Sequence, residues 1–281
     1  MLLITLLAFS PACALPIVGR SAATIPAGTF MLDTWGIYRN YAYSWEEAAE
    51  PDDSGWVGFT RRERMTAASF VPRISYGVTD WLTVRAAVPV EDRYGEFADW
   101  VTGRSNTGLG DIVIDPKFQL YSGQDGFPMF SILAGVRLPT GDTKGVDRYR
   151  TLALSDGSTD FMLGGVATHS SGPLTGHACA TYWSNGEKTS GADAADFWVL
   201  LLSLEDSIDE SLTLLWEFKG VYGRDPATYN RNYVCPGIMW SGEHVKIGLS
   251  SVVSMTARGG GGISDLDIDW APYFRIYYHF S

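Results

Sequence analysis

The chain has 281 residues, of which 46% are hydrophobic, 19% charged and 13% aromatic, and its formal charge is -11. That length suits one sizeable domain; the low charge content excludes a disordered chain, and the acidic balance excludes a partner held by its phosphate backbone. Beyond the N-terminus, Asp, Arg, Gly or Pro interrupts every hydrophobic stretch before about 18 residues, so helices do not span a bilayer and the choice lies between a soluble β-rich protein and a membrane barrel.

Met1 to Ser10 is apolar and Ala12-Cys13-Ala14 supplies the small residues of a cleavage site, so residues 1–14 read as a signal peptide, although no Lys or Arg precedes the apolar stretch. Residues 15–29 are assigned to an N-terminal periplasmic segment and residues 30–281 to the main domain. Cys179 and Cys235 have no spacing motif, which predicts small wall residues and neither a metal site nor a disulfide framework.

From residue 30 onward the pattern is period two, the mark of strands with one apolar and one polar face. The first strand is placed at Phe30–Tyr41, the second at Met65–Ser75, the third at Leu82–Val90 and the fourth around Ile112–Leu120. Phe130–Leu138, Thr159–Thr168, His177–Trp183, Ala195–Leu204, Leu212–Val221, Tyr233–Trp240 and Val245–Met255 follow. In the last strand Trp270, Pro272, Phe274, Ile276, Tyr278 and Phe280 alternate with Asp269, Ala271, Tyr273, Arg275, Tyr277 and His279. The phase of the first, seventh and tenth strands is ambiguous.

Connections alternate between long and short. Long loops are placed near 42–58, 91–109, 140–157, 184–194, 222–232 and 256–267, and compact turns at 76–80, 122–127, 171–176, 205–211 and 241–244. Six long loops and five turns require twelve strands with both termini on the short-turn side. The fold predicted is therefore all-β: an up-and-down, antiparallel transmembrane β-barrel of about 12 strands in the bacterial outer membrane. A β-sandwich would show alternation too, but it would not need this rhythm. Tyr76, Trp81, Tyr121, Phe127 and Trp240 cluster at the short turns, where an interfacial girdle sits.

The stretch Gly108-Leu109-Gly110-Asp111-Ile112-Val113-Ile114-Asp115-Pro116-Lys117, the turn Tyr76-Gly77-Val78-Thr79-Asp80, the segment Arg137-Leu138-Pro139-Thr140-Gly141-Asp142 and Ser158-Thr159-Asp160-Phe161 together resemble the outer-membrane channels labelled as a meta-pathway phenol-degradation family. The resemblance implies a twelve-stranded barrel with a narrow lumen and a role in taking up small hydrophobic or aromatic molecules. Here the terminal aromatic Phe280 is followed by Ser281.

With the apolar faces toward lipid, the lumen-lining set is Arg73, Arg85, Asp111, Asp115, Lys117, Arg137, Asp160, Glu217, Lys219 and Arg275, joined by Asp196, Lys246, Asp269 and His279. Both signs are present, so the wall carries either cross-strand ion pairs that plug the lumen or a wet, weakly selective pore. Apolar inward candidates are Leu133, Val113, Met162, Trp198 and Leu200.

Catalysis finds little support. An outer-membrane phospholipase needs His before Ser-Asn-Gly, and Tyr182 stands in that place before Ser184-Asn185-Gly186. His169, Ser170 and His177 make only an improvised set, because adjacent strand residues point to opposite faces. Gly259 to Gly262 reads as loop, and Asp52-Asp53 and Asp142 to Asp147 lack a calcium-loop spacing. Arg61, Arg62 and Arg64 suit lipopolysaccharide phosphates. The sequence thus predicts a monomeric channel for passive uptake, not an enzyme, with no cofactor and no metal. Its partners are outer-membrane lipids, lipopolysaccharide, small hydrophobic solutes and the barrel-assembly machinery, with no nucleic acid; the alternatives are a lipid-modifying barrel enzyme and a closed structural barrel.

Overall fold

The alternating segments pair into one antiparallel sheet that closes on itself. The computed structural model describes residues 20–47, 59–96, 104–124, 126–143, 154–188, 196–223, 231–255, 267–268 and 271–280. Twelve barrel strands result: β1 (Phe30–Glu47), β2 (Phe59–Thr79), β3 in two segments (Leu82–Ala87 and Val90–Glu96) and β4 in two segments (Arg104–Leu109 and Ile112–Tyr121). They continue with β5 (Met129–Leu138), β6 (Asp160–Ser171), β7 (Leu174–Ser184), β8 (Phe197–Ser207) and β9 (Leu212–Gly223). β10 (Arg231–Ser241), β11 (Val245–Ser254) and β12 (Asp267–Ile268 and Ala271–Phe280) complete the wall. Each strand pairs with its successor, and β1 pairs with both β2 and β12, from Phe30↔Phe280 to Ile37↔Tyr273. Closure satisfies the edge hydrogen bonds that lipid cannot.

The two faces differ in kind. Along β6, Asp160, Met162, Val166 and Thr168 are buried, whereas Phe161 and Leu163 are exposed. The same reversal recurs around the barrel, with Phe70, Ile74, Ile132, Leu202, Trp216, Leu249 and Phe274 exposed and Arg85, Asp115, Lys117, Glu205 and Arg275 buried. An apolar outer face around a charged interior is the arrangement lipid requires, and the protein is an outer-membrane barrel. Tyr76, Trp81, Tyr121, Phe127 and Trp240 all stand exposed at the short-turn end. There Phe30 packs on Tyr76 with ring centroids 4.5 Å apart.

Several boundaries differ from the sequence reading. β1 and β2 run 18 and 21 residues, well into the loop placed at 42–58. β3 and β4 likewise fill much of 91–109, where Arg93 pairs with Glu91 at 2.8 Å. Eighteen residues at about 3.3 Å each, tilted by about 40°, rise roughly 45 Å, beyond an apolar band of about 25 Å. Above the lipid neither face must be apolar, so the period-two signal disappears while the hydrogen-bonded ladder continues. β2 also extends through Thr79, leaving the turn to Asp80 and Trp81, and β8 runs to Ser207. The two-residue turn between β6 and β7 opens with Gly172 at a φ of 59°, which an L side chain rarely adopts.

β3 and β4 are both interrupted at one level. Pro89 brings no N–H to the ladder, its carbonyl accepts from Gly110 N at 2.9 Å, and β4 gains one residue relative to β3 between Ala87↔Val113 and Val90↔Leu109.

Candidate functional site

The barrel's interior is occupied by the chain's own N-terminal segment. The described residues 20–29 run from inside the lumen to the short-turn mouth. At the mouth Gly28 N donates to Gly77 O at 2.8 Å and Ala27 N to Asp80 Oδ1 at 3.0 Å. Deeper in, Ile25 N donates to Thr83 Oγ1 at 2.8 Å and Ala22 N to Thr168 Oγ1 at 2.8 Å. Ser131 Oγ donates to Ala22 O at 2.5 Å, and Lys117 Nζ to Ser21 O at 3.1 Å and to Ala23 O. Arg20 Nη1 reaches Asp115 Oδ2 at 2.9 Å. The wall thus supplies the hydrogen bonds that a chain outside any sheet must find when buried. No room is spare at the entrance, since a Cβ at Gly77 would overlap the carbonyl oxygens of Pro26 and Ile25.

Apolar contacts split between the two sides of this segment. Ile25 belongs to a buried apolar cluster with Met31, Leu215, Tyr233, Met239 and Tyr277 from β1, β9, β10 and β12. Ala22 belongs to a second with Leu133, Met162, Val166, Cys179 and Leu201 from β5 to β8. Cys179 and Cys235 are free, buried wall residues in these clusters.

Charged residues on the inner face are grouped by strand neighbourhood. Arg85 and Asp115, directly opposite in the β3–β4 register, form a two-pronged pair with Nε–Oδ1 2.6 Å and Nη2–Oδ2 2.8 Å. Asp33 on β1 accepts from Arg73 Nε of β2 at 2.6 Å and from Arg275 Nε of β12 at 3.2 Å, so two guanidiniums share one carboxylate. The Arg275 guanidinium also lies 4.4 Å over the Tyr277 ring. Arg137 pairs with Asp160, which also accepts from Ser158 Oγ at 2.7 Å and Gly186 N at 3.0 Å. Glu217 accepts from Ser203 Oγ at 3.0 Å, and Lys219 stands two residues along the same face.

Asp111 is not a wall charge of this kind. It lies in the break of β4, where its Oδ1 accepts from Gly141 N at 3.1 Å and ties down the start of the loop after β5. Lys246, opposite Tyr277, shares the inner face. Asp269 and the side chain of His279 lie outside the described residues, as do Asp52-Asp53, Gly259 to Gly262, most of 142–147 and the side chains of Arg61, Arg62 and Arg64.

The phase of β8 needs correction. Leu201, Ser203 and Glu205 point inward, whereas Trp198 is 53% exposed and Leu200 shares its outer face. Asp196 accordingly accepts from the outward Tyr182 hydroxyl at 2.6 Å and from Asn185 N at 2.9 Å, away from the lumen. Trp198 to Leu202 is apolar at every position, so it carries no period of its own; the cross-strand partners of Ser203, which are His177 and Glu217, set the phase.

Sequence reasoning missed a buried chain of polar groups. His177 Nδ1 lies 2.8 Å from Thr168 Oγ1, and its Nε2 lies 3.0 Å from Glu205 Oε1. Through Thr168 this chain holds Ala22 of the inserted segment. Glu205 reads as turn in the sequence, and Asp33 lies in the strand of ambiguous phase. His169 stands on the outer face and His177 on the inner, so the improvised nucleophile set is split by the wall. Among the described residues there is no group of three or more His, Cys, Asp or Glu placed to hold a metal ion.

The family described as "Putative MetA-pathway of phenol degradation" matches residues 34–245. Among solved structures, the COG4313 outer membrane channel from Pseudomonas putida F1 superimposes with a TM-score of 0.70 at 12% identity, covering 92% of this chain and 98% of that one. The translocator domain of the autotransporter NalP from Neisseria meningitidis gives a TM-score of 0.51 at 10% identity, covering 90% and 89%. These likenesses concern the fold. No curated protein sequence is significantly similar.

Proposed function

The chain belongs to the family described as "Putative MetA-pathway of phenol degradation", and from that membership and its filled lumen we propose a monomeric outer-membrane channel for passive entry of small aromatic or hydrophobic molecules. The observation that carries this reading is the way residues 20–28 block the interior. They add no strand to the wall and are held by separable hydrogen bonds and one ion pair between side chains. A sealed core would be built from wall side chains, whereas this one depends on a removable segment. The surfaces flanking the segment combine methyl, thioether and aromatic groups with paired charges, which suits an amphipathic ring better than a sugar. The described strands carry outer-membrane lipid on their apolar faces, and the terminal alternating strand is the element the barrel-assembly machinery would read.

The test is single-channel recording in planar bilayers of the whole barrel and of a variant lacking residues 20–28, both checked for heat-modifiable gel migration. The reading expects rare openings in the first and sustained conductance in the second. Folded protein that never conducts in either form would instead establish a closed structural barrel, the reading favoured by the wholly buried Asp33 and Asp160 networks, which do not depend on the segment.

A further inference from the structure

Three successive carbonyl groups of the inserted segment face donors of the wall. Lys117 Nζ donates to the oxygens of Ser21 and Ala23, and Ser131 Oγ to the oxygen of Ala22 between them. These donors belong to adjacent strands, since Ser131 is opposite Gln119 and Lys117 opposite Leu133 in the β4–β5 register. Beside them Ala22 shares a buried apolar cluster with Leu133, Met162 and Val166, which form an apolar ledge on the wall. The geometry points to a binding site for the carboxylate of a small aromatic acid at Lys117, which the plug's own carbonyl oxygens fill while residues 20–28 are in place.

The chemistry favours the anion over a neutral ring. Two oxygens converge on one ammonium, which is what a carboxylate presents from a single carbon, and its full charge makes the hydrogen bonds charge-assisted where peptide carbonyls are only dipolar. Departure of the plug removes Arg20 from Asp115 but leaves the two-pronged Arg85–Asp115 pair intact, so that carboxylate stays neutralised and does not repel the newcomer. Arg73 and Arg275 share the carboxylate of Asp33. The ring takes the ledge whose cluster Ala22 shares. Plug and solute compete for the same donors, so by linkage solute binding loosens the plug as much as the plug weakens solute binding.

This site rests on the channel reading for its purpose, yet its test is separate. Purified full-length protein in detergent is titrated calorimetrically with benzoate, benzyl alcohol and benzylamine. The site predicts benzoate binding at least about tenfold tighter than either neutral or cationic ring, a loss of at least about tenfold in Lys117→Met and retention in Lys117→Arg. Loss in Lys117→Met is diagnostic because that change also weakens the plug's hold, which by itself would expose the site and tighten binding. Equal affinity for the three ligands, absence of benzoate binding, or unaltered binding in Lys117→Met overturns the proposal, and the ligand series on the unaltered protein decides it even where a variant fails to fold. Phenol entry into proteoliposomes reads the channel independently. Entry without benzoate preference overturns the site alone, and benzoate binding without entry supports the site while removing the channel.

Discussion

Arg275 donates from Nε to Asp33 Oδ1 at 3.2 Å across the seam where the last strand meets the first. Because Arg73 of the second strand donates to the same carboxylate, one buried anion ties three neighbouring strands at the place where the barrel closes. Removing its charge takes a shared carboxylate from two guanidiniums in the interior. Asp33→Asn should therefore cost roughly 3–5 kcal/mol, the range for breaking a buried ion pair by losing one partner. The temperature at which the folded band converts to the unfolded one on a detergent gel should fall markedly; an unchanged conversion temperature would show the seam does not depend on this pair.

Gly77 lies against the backbone of Pro26 and Ile25, where even a Cβ has no space. Gly77→Val should push the inserted segment off the mouth while leaving the wall closed. Trypsin cuts after Arg20 only when that residue leaves Asp115, so rapid N-terminal trimming of the variant, against slow trimming of the parent, is the expected result. Equal trimming rates would mean that the segment is not anchored at this glycine.

Leu202 sits near the middle of β8 with 44% of its surface exposed on the outer face. On a water-soluble protein, Leu202→Arg would be close to neutral. On a barrel in lipid it should cost about 2–4 kcal/mol, since a cation near the bilayer midplane has no hydration. Refolding yield into phospholipid vesicles compared with detergent reports this difference, and equal yields would contradict the orientation of the wall.

Asp209 shapes the turn between β8 and β9. It accepts from Ser211 N at 2.7 Å, from the Ser211 hydroxyl at 2.9 Å and from Leu212 N at 2.9 Å, and these bonds, led by the Ser211 amide, hold its carboxyl below the ordinary carboxylate range. A lowered value in the folded state means stabilisation that is present above the unfolded value and lost as pH falls through the folded one. Asp209→Ala should thus lower thermal stability at pH 7 and make little difference at pH 2. A deficit of equal size at both pH values would assign its cause to something other than the ionised carboxylate.

Much of the wall is legible in neighbouring residues. Asp111, Asp115 and Lys117 alternate with Ile112, Ile114 and Phe118, and that local period places the strand and predicts which face is polar. Twelve strands and the side bearing the termini follow from the long-short rhythm of connections, because turn chemistry is local. Where local composition is uniform the signal fails: Trp198 to Leu202 is apolar throughout, and only its cross-strand partners decide which side faces inward. Strands that rise above the lipid fail for the opposite reason, as Glu91 to Arg93 and Arg104 to Thr107 are polar on both faces and look like loop.

An outer-membrane barrel is thus specified at the level of sequence, since the lipid-facing period is written into adjacent positions. What fills that barrel depends on the closed fold. Arg20 to Gly28 has no period, no cap and no motif, and its partners Asp115, Thr168 and Ser131 lie 95, 146 and 109 residues away. Such contacts exist only once twelve strands have closed and turned those side chains toward a common centre. A segment whose conformation is set by the cavity around it leaves no trace in its own residues.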